Sequence, residues 1–143
     1  MDKYDSLKLE NQFCFPLYVA SKEVIRKYKP LLDELDLTYT QYIAMMVLWE
    51  EKKCKVTELG KKLYLDTGTI SPLIRKLKSK NYIKISRAED DERVQVLEIT
   101  QEGEALRDRA LKVPQEMLKS NCLSLSLEET LELRRLLKKV MGN

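Results

Sequence analysis

Hydrophobic positions recur with helical spacing through most of this chain, interrupted once by a short stretch with a charged centre. Two amphipathic segments stand in the middle, with inward positions at Val56, Leu59 and Leu63 and then at Ile70, Leu73, Ile74 and Leu77. This spacing predicts two short helices with a tight connection. The following NYIKISRAEDDERVQVLEIT predicts two strands around a charged tip. From Val56 to Thr100 the order of elements therefore predicts a winged helix-turn-helix.

The start of the second helix of this motif is suited to phosphate. Asp66 is a good N-cap, because its side chain can accept a hydrogen bond from a free backbone N–H. Pro72 is tolerated only near the first turn, where its missing N–H costs little. The other residues at this end are small, so that the partly positive helix end can approach a phosphate closely: Thr67, Gly68, Thr69 and Ser71.

The charge pattern supports contact with DNA. Between Thr69 and Arg87 there are six basic residues and no acidic one: Arg75, Lys76, Lys78, Lys80, Lys84 and Arg87. Such a helix and strand suit a phosphate backbone. Four acidic residues follow, and we expect Asp91 to pair with Arg93 and direct it toward a minor groove. The alternative is a solvated helix face with a solvated hairpin tip.

Helical patterns also flank this motif. A long first helix is expected from about Leu7 to Asp36, with Pro16 acceptable if regular helix starts near Asn11, and with Pro30 expected to kink or end it. Thr38 and Gln41 predict a capping box that opens the next helix. The apolar face of that helix is assigned to Ile43, Met46, Val47 and Trp49, and Lys52 to Lys55 are expected to form a basic turn.

After the hairpin, Thr100 is expected to cap a second long helix that Pro114 bends, and Ser126 with Glu129 predicts a capping box for the last helix. The helices at both ends carry more apolar surface than one small lobe can cover. We therefore expect an intertwined homodimer with two projecting winged modules. Its two-fold symmetry predicts a pseudo-palindromic operator in double-stranded DNA, with half-sites about 34 Å apart.

Composition narrows the classes of function. The 143 residues suffice for one compact domain, and charged residues make up 34%. The chain has no histidine, which excludes Ser-His-Asp and Cys-His catalysis and histidine-ligated zinc; no cofactor is expected. Three widely spaced cysteines and no secretion signal predict a cytoplasmic, mostly reduced protein without a membrane span.

Cys14 lies on a helical face with Tyr18, Ser21 and Ile25. Reaction of a thiol with peroxide requires the thiolate, which a helix N-terminus and phenolic hydroxyl donors stabilise. The residues alone leave open the alternative of an inert cysteine packed in an aromatic interface.

The chain also resembles a known family. Asp91, Arg93, Thr100 and Gly103, in DERVQVLEITQEG, match the wing signature of MarR-type transcription regulators. The segments LENQFCFPLY, YKPLLDELDLTYTQY and LYLDTGTISPLIRKL are similar to the organic-hydroperoxide sensors of that family. The resemblance covers nearly the whole chain and implies a mainly α fold with a small β-hairpin wing. It implies one domain, 1–143, divided into sensor and dimerisation helices (7–54), the winged module (55–100) and C-terminal dimerisation helices (101–143).

The resemblance also implies a thiol switch. In those sensors the cysteine that corresponds to Cys14 is oxidised to sulfenic acid, and tyrosines matching Tyr18, Tyr28 and Tyr39 surround it, the latter two from across the dimer. The sulfenic acid then condenses with a second thiol. Cys122 matches the region of a resolving cysteine, and a small cellular thiol forming a mixed disulfide is the other choice. Cys54 matches no redox residue and is expected to be incidental.

The resemblance implies a regulator, expected to be a repressor, that releases its operator when Cys14 is oxidised. Three other functions stay open at this point. One is a regulator switched by a small phenolic ligand, with Cys14 only packing. Another is an enzyme such as a thiol peroxidase, although no peroxidase motif is visible. The last is a winged module that binds protein and not DNA.

Overall fold

The computed structural model describes residues 2–142. Two short 3-10 turns, Asp5–Leu7 and Leu9–Asn11, precede the first helix. The helices are α1 Cys14–Asp33, α2 Tyr39–Glu51, α3 Val56–Leu63, α4 Thr67–Ser79, α5 Gln101–Ala110, α6 Lys112–Lys119 and α7 Leu127–Val140. The strands are β1 Lys53–Lys55, β2 Ile83–Arg87 and β3 Gln95–Ile99. Within this part of the chain, no helix has the length and apolar character needed to cross a membrane.

The chain forms two compact units. One comprises the chain up to Tyr28 together with the chain from Pro114 onward, and the other is Lys29–Val113. The second unit contains the whole winged module and α2. The two ends of the predicted single domain, Met1 and Asn143, lie outside the described residues, and the predicted division at 54 and 100 stays a prediction.

The winged module confirms the predicted helix-turn-helix. Ile70, Leu73, Ile74 and Leu77 of α4 are all buried, as is Leu59 of α3. The wing is part of a three-stranded antiparallel sheet with the order β1-β3-β2. The prediction of a basic turn at Lys52 to Lys55 was therefore wrong, because β1 pairs with β3 through Lys53 opposite Glu98. A strand of three residues whose partner lies more than forty positions away leaves no periodic signal.

The first helix begins later than predicted. α1 starts at Cys14 and not near Leu7, so that Pro16 falls in its first turn, where no intrahelical N–H is needed. The preceding 3-10 turns are closed by the side chains of Asn11 and Gln12, which donate to backbone carbonyls of Asp5 and of Ser6 and Lys8. The helix does not end at Pro30 but continues to Asp33.

The predicted capping box of α2 is confirmed. The Thr38 hydroxyl accepts from the Gln41 N–H, and the Gln41 side chain accepts from the Thr38 N–H. The predicted apolar face was largely wrong. Of its four residues only Trp49 is buried, and Met46 is exposed. The buried side is instead Gln41, Tyr42, Ala44, Met45, Leu48 and Trp49. α2 is apolar nearly all round, so its sequence does not distinguish between faces.

The remaining helix boundaries follow from proline and from caps. The predicted second long helix is divided after Ala110, four residues before Pro114. Pro114 supplies no N–H to the Ala110 carbonyl and its ring crowds that group, so the regular hydrogen bonding stops there. Ser126 and Glu129 form the predicted capping box of α7. No residue of α7 is buried within the protomer, and Leu136, Val140 and Met141 are exposed.

Candidate nucleic-acid interface and thiol site

The N-terminus of α4 has the geometry predicted for phosphate. The Asp66 carboxylate accepts from the Thr69 N–H at 2.9 Å and holds the first turn. Hydrogen bonds from the Thr69 backbone and side chain lower the pKa of the Asp66 carboxyl. Thr67, Gly68 and Thr69 are all exposed, and Ser71 is half-buried. Short side chains therefore surround free backbone amides at the positive end of the helix dipole.

The outer side of α4 is basic. Arg75 and Lys76 are exposed, on the sides of α4 that face away from the buried stripe. Arg87 is exposed at the end of β2, where the wing leaves the sheet. No acidic residue lies within α4. A helix with one apolar face and one cationic face presents the charges needed along a DNA backbone.

Arg93 is held at the wing tip by Asp91. Its Nε lies 3.1 Å from Asp91 Oδ1 and its second guanidinium nitrogen 3.2 Å from Asp91 Oδ2, and the Arg93 N–H donates to the same carboxylate at 3.0 Å. These bonds, the side-chain ones first, lower the pKa of the Asp91 carboxyl. The Arg93 side chain is nevertheless 91% exposed. The predicted Asp91–Arg93 pair is therefore confirmed. It holds an exposed cation at the tip of the wing.

An open groove connects the wing with the helix-turn-helix. It runs between α3, the start of α4 and the end of the wing loop, and brings Asp66, Thr67 and Arg93 together. Other residues that line it were not predicted from the sequence: Lys55, Lys61, Tyr64 and Gln95. Tyr64 ends α3 with a left-handed backbone (φ 56°). Periodicity gave no signal for these side chains, because they lie in β1, in β3 and on or just beyond the polar side of α3.

The base of the wing is fastened to the module at Thr100 and Gly103. The Thr100 hydroxyl accepts from the Gly103 N–H at 3.0 Å and donates to the Asn81 carbonyl at 2.6 Å, just beyond α4. The Gly103 carbonyl accepts from the buried indole N–H of Trp49 at 2.8 Å. The base of the wing, the turn that follows α4, and α2 therefore share one set of hydrogen bonds.

We expect Arg93→Ala to weaken DNA binding by about 1–3 kcal/mol, as for loss of one groove-directed arginine. The measurement is fluorescence anisotropy with a duplex selected for binding from a random pool. Arg107→Ala is the matched control, since it removes the same charge from an exposed position of α5. Equal binding by Arg93→Ala and the control would contradict a role of the wing in DNA contact.

Cys14 is the first residue of α1 and is exposed in the protomer. Tyr18 follows one turn later and is 59% exposed. The Lys22 ammonium lies 5.0 Å from the centre of the Tyr18 ring, one further turn along. Cys14 therefore occupies the first turn of α1, with a phenol and a cation on the following turns.

Tyr28 is far from the start of α1 along the same helix. Tyr28 lies fourteen residues beyond Cys14 on the same helix, which is about 21 Å. It cannot reach the sulfur of its own protomer. Tyr39 is the first residue of α2, in the other compact unit, and burial raises the pKa of its hydroxyl. The Tyr39 side chain is therefore a protonated hydrogen-bond donor at neutral pH.

Cys122 lies close to Lys27 of α1, far along the helix from Cys14. The Lys27 ammonium donates to the Cys122 carbonyl at 2.5 Å, and Lys27 is thirteen residues, about 20 Å, from Cys14. A disulfide needs Cα atoms within about 7 Å. Even an extended lysine side chain leaves Cys122 too far away, so Cys14 and Cys122 of one protomer cannot bond in this conformation.

Cys54 is protected by its position. It is the central residue of β1 and is buried. Burial, and then the nearby Glu58 carboxylate, raise the pKa of its thiol. Because the thiolate is the reactive form, Cys54 is a poor nucleophile.

The chain is similar to known regulators along most of its length. Residues 26–110 match the family described as Transcriptional regulator SarA/Rot. The organic hydroperoxide resistance transcriptional regulator of Bacillus subtilis is 42% identical over 113 residues, which cover 79% of this chain and 77% of the relative. The HTH-type transcriptional regulator SarZ of Staphylococcus aureus is 43% identical over 99 residues, 69% of this chain and 67% of the relative.

Among solved structures, AbfR of Staphylococcus epidermidis has the same fold, with a TM-score of 0.73 and 26% identity; the match covers 99% of each chain. The relatives are transcriptional regulators and not enzymes. Together with the helix-turn-helix, the wing and the basic outer side of α4, these matches identify the chain. It belongs to the SarA/Rot family of transcriptional regulators and has the MarR-type winged helix-turn-helix fold.

Proposed function

We propose that this protein is a homodimeric repressor that releases its operator when Cys14 is oxidised by an organic hydroperoxide. The observation that carries the proposal is the 42% identity to a regulator of organic hydroperoxide resistance over 113 residues. The exposure of Cys14 at a helix N-terminus supports it, because a peroxide can reach the sulfur and negative charge is favoured there. We assign the protein to the cytoplasm, because that compartment contains both DNA and reduced cysteines.

The chemistry begins with attack of the Cys14 thiolate on the hydroperoxide. The S–O bond forms as the O–O bond breaks, the sulfur is oxidised to sulfenic acid, and the leaving alkoxide takes a proton and becomes an alcohol. Before oxidation, the hydroxyls of Tyr18 and of the partner subunit's Tyr28 and Tyr39 donate to the thiolate. Since Tyr28 lies about 21 Å along α1 from its own Cys14, this arrangement needs two protomers.

A second thiol then completes the cycle. It attacks the sulfenic sulfur, the S–S bond forms, and the displaced hydroxide leaves as water with the thiol proton. Cys122 is our preferred resolving residue, and the bond would join two subunits, because Cys14 and Cys122 of one protomer are too far apart. A low-molecular-weight thiol that forms a mixed disulfide is the other choice.

The dimer connects the oxidation of Cys14 with the affinity for DNA. The exposed apolar side chains of α7 and of the chain start, including Phe13, Leu17, Leu136 and Val140, provide the surface for a second copy. Two winged modules must fit one pseudo-palindromic operator in double-stranded DNA, so a small change in their separation costs most of the specific affinity.

The test is a binding titration on a fluorescent duplex selected from a random pool. We expect reduced protein to bind and one equivalent of cumene hydroperoxide per subunit to release it, with binding restored by dithiothreitol. Protein that stays bound after full oxidation would contradict the proposal. The alternative, a regulator switched by a phenolic ligand, predicts the opposite: release by the phenol, with thermal stabilisation and unreactive thiols.

A further inference from the structure

The recognition helix α4 is fastened at its C-terminus to the corner between α1 and α2. Lys80 is the C-cap of α4, and its ammonium donates to the Gln41 side-chain oxygen at 3.0 Å. It also donates to the Asp36 carbonyl and lies 3.6 Å from the Asp36 carboxylate. The Lys80 side chain is only 22% exposed. Among the basic residues that follow Thr69, Lys80 is therefore directed into the protein and away from the phosphate-facing side.

The oxygen that Lys80 binds also fixes the start of α2. Gln41 is 6% exposed, and its side-chain oxygen accepts from the Thr38 N–H at 3.1 Å as part of the capping box. Tyr39 lies between these two residues, at the first position of α2. Any rotation of this first turn that carries Tyr39 also displaces the Gln41 oxygen, and with it the acceptor of Lys80.

The corner is held from the other side as well. Arg109 of α5 donates to the Glu34 carbonyl at 2.8 Å, and Lys112 at the start of α6 pairs with the Glu34 carboxylate. Asp36 has a left-handed backbone (φ 55°), and its chain neighbours Leu35 and Leu37 are buried. Residues 34–41 therefore form a closely tied junction, which we call the α1–α2 corner. A junction of this kind transmits displacement better than a solvated loop.

We propose that Lys80 is a positioning residue that couples the α1–α2 corner to the recognition helix without contacting DNA. The inference rests on the proposed function, since Tyr39 of this corner is one of the tyrosines assigned to the Cys14 thiolate. Loss of that hydrogen bond on oxidation lets the first turn of α2 move. Lys80 then changes the orientation of α4 within the winged module.

Lys80→Met and Lys78→Met test this inference as a matched pair. Lys78 is exposed on α4, two residues before Lys80. We expect Lys78→Met to reduce the slope of log binding constant against log salt concentration by about 1, as for loss of a phosphate contact. Lys80→Met should weaken binding by the reduced protein about fivefold or more at every salt concentration, with the slope unchanged.

The second readout is the ratio of DNA affinities between reduced and hydroperoxide-treated protein. Lys80→Met should lower this ratio about threefold or more, whereas Lys78→Met should leave it unchanged. A purely structural lysine would lower the melting temperature and leave the ratio as it is. A slope that falls as in Lys78→Met, or a ratio equal to wild type, would overturn the inference.

Hydrogen exchange of the wild-type protein provides a test that does not depend on variants folding. Oxidation should reduce amide protection in 35–41 and in 76–82 together. A change in the first segment alone would contradict coupling through Lys80. Failure of the proposed function can be distinguished from failure of the coupling. If the proposed function is wrong, oxidised wild-type protein stays on the DNA. If wild type is released and Lys80→Met keeps the full ratio of affinities, only the coupling through Lys80 is wrong.

Discussion

Cys14→Ser should bind operator DNA as reduced wild-type protein does and should remain bound after hydroperoxide treatment, whereas wild-type protein loses affinity by about 100-fold. Serine keeps the size of the side chain and a hydrogen-bonding oxygen, but it forms no sulfenic acid. The variant therefore removes the reaction and leaves the helix start and the surface of the protomer intact. The measurement is the dissociation constant before and after one equivalent of organic hydroperoxide.

Cys54→Ala is the matched control. Cys54 is buried, and the pKa of its thiol is raised by burial and by Glu58, so its removal should leave the peroxide response unchanged. Cys122→Ser should still be released, because the first oxidation does not involve Cys122. If Cys14→Ser is released as fully as wild type, oxidation of Cys14 is not the signal.

Gly103→Ala should destabilise the protein by about 2 kcal/mol, in the range for overpacking. A Cβ at this position would lie 2.4 Å from the Tyr82 carbonyl oxygen and 2.7 Å from the Ile99 side chain. The backbone cannot withdraw, because the Gly103 N–H donates to Thr100 and its carbonyl accepts from the Trp49 indole. The melting temperature should fall by about 5–10 °C, measured at fixed protein concentration because the proposed dimerisation would contribute to it.

Gly68→Ala is the control, since both glycines lie in the first turn of a helix. A Cβ at Gly68 would meet only the Asp66 carboxylate, at an ordinary contact distance of 3.5 Å. Alanine also has the higher helix propensity, so the melting temperature should be unchanged or slightly higher. If the two variants melt alike, steric crowding at the base of the wing is not what requires glycine.

Local patterns were sufficient to predict the winged module. The Asp66 cap, the buried stripe of α4 and the Asp91–Arg93 pair all depend on residues within a few positions of each other. Such features follow from helix period and short-range hydrogen bonding. These local features could therefore be predicted from the sequence, and the groove brings Asp66, Thr67 and Arg93 together.

Contacts between distant positions were not predictable in the same way. β1 is too short for a periodic signal, and α2 is apolar on nearly every side, so its buried face depends on what packs against it. The bond from Lys80 to Gln41 spans 39 positions, and the capping-box motif that contains Gln41 gives no information about Lys80. Tyr28 and Tyr39 were assigned to Cys14 only from the resemblance, because helical spacing places Tyr18 alone among the three tyrosines near Cys14.

Peptide mass spectrometry of the protein, quenched after one equivalent of organic hydroperoxide, tests the central claim most directly. We expect Cys14 to be the cysteine that reacts first, trapped by dimedone as its sulfenic acid at early times. At later times it should be linked to Cys122 of another subunit or to an added small thiol, while Cys54 remains unmodified. Oxidation that starts at Cys54 or Cys122, or release of DNA while Cys14 is still a free thiol, would contradict the account.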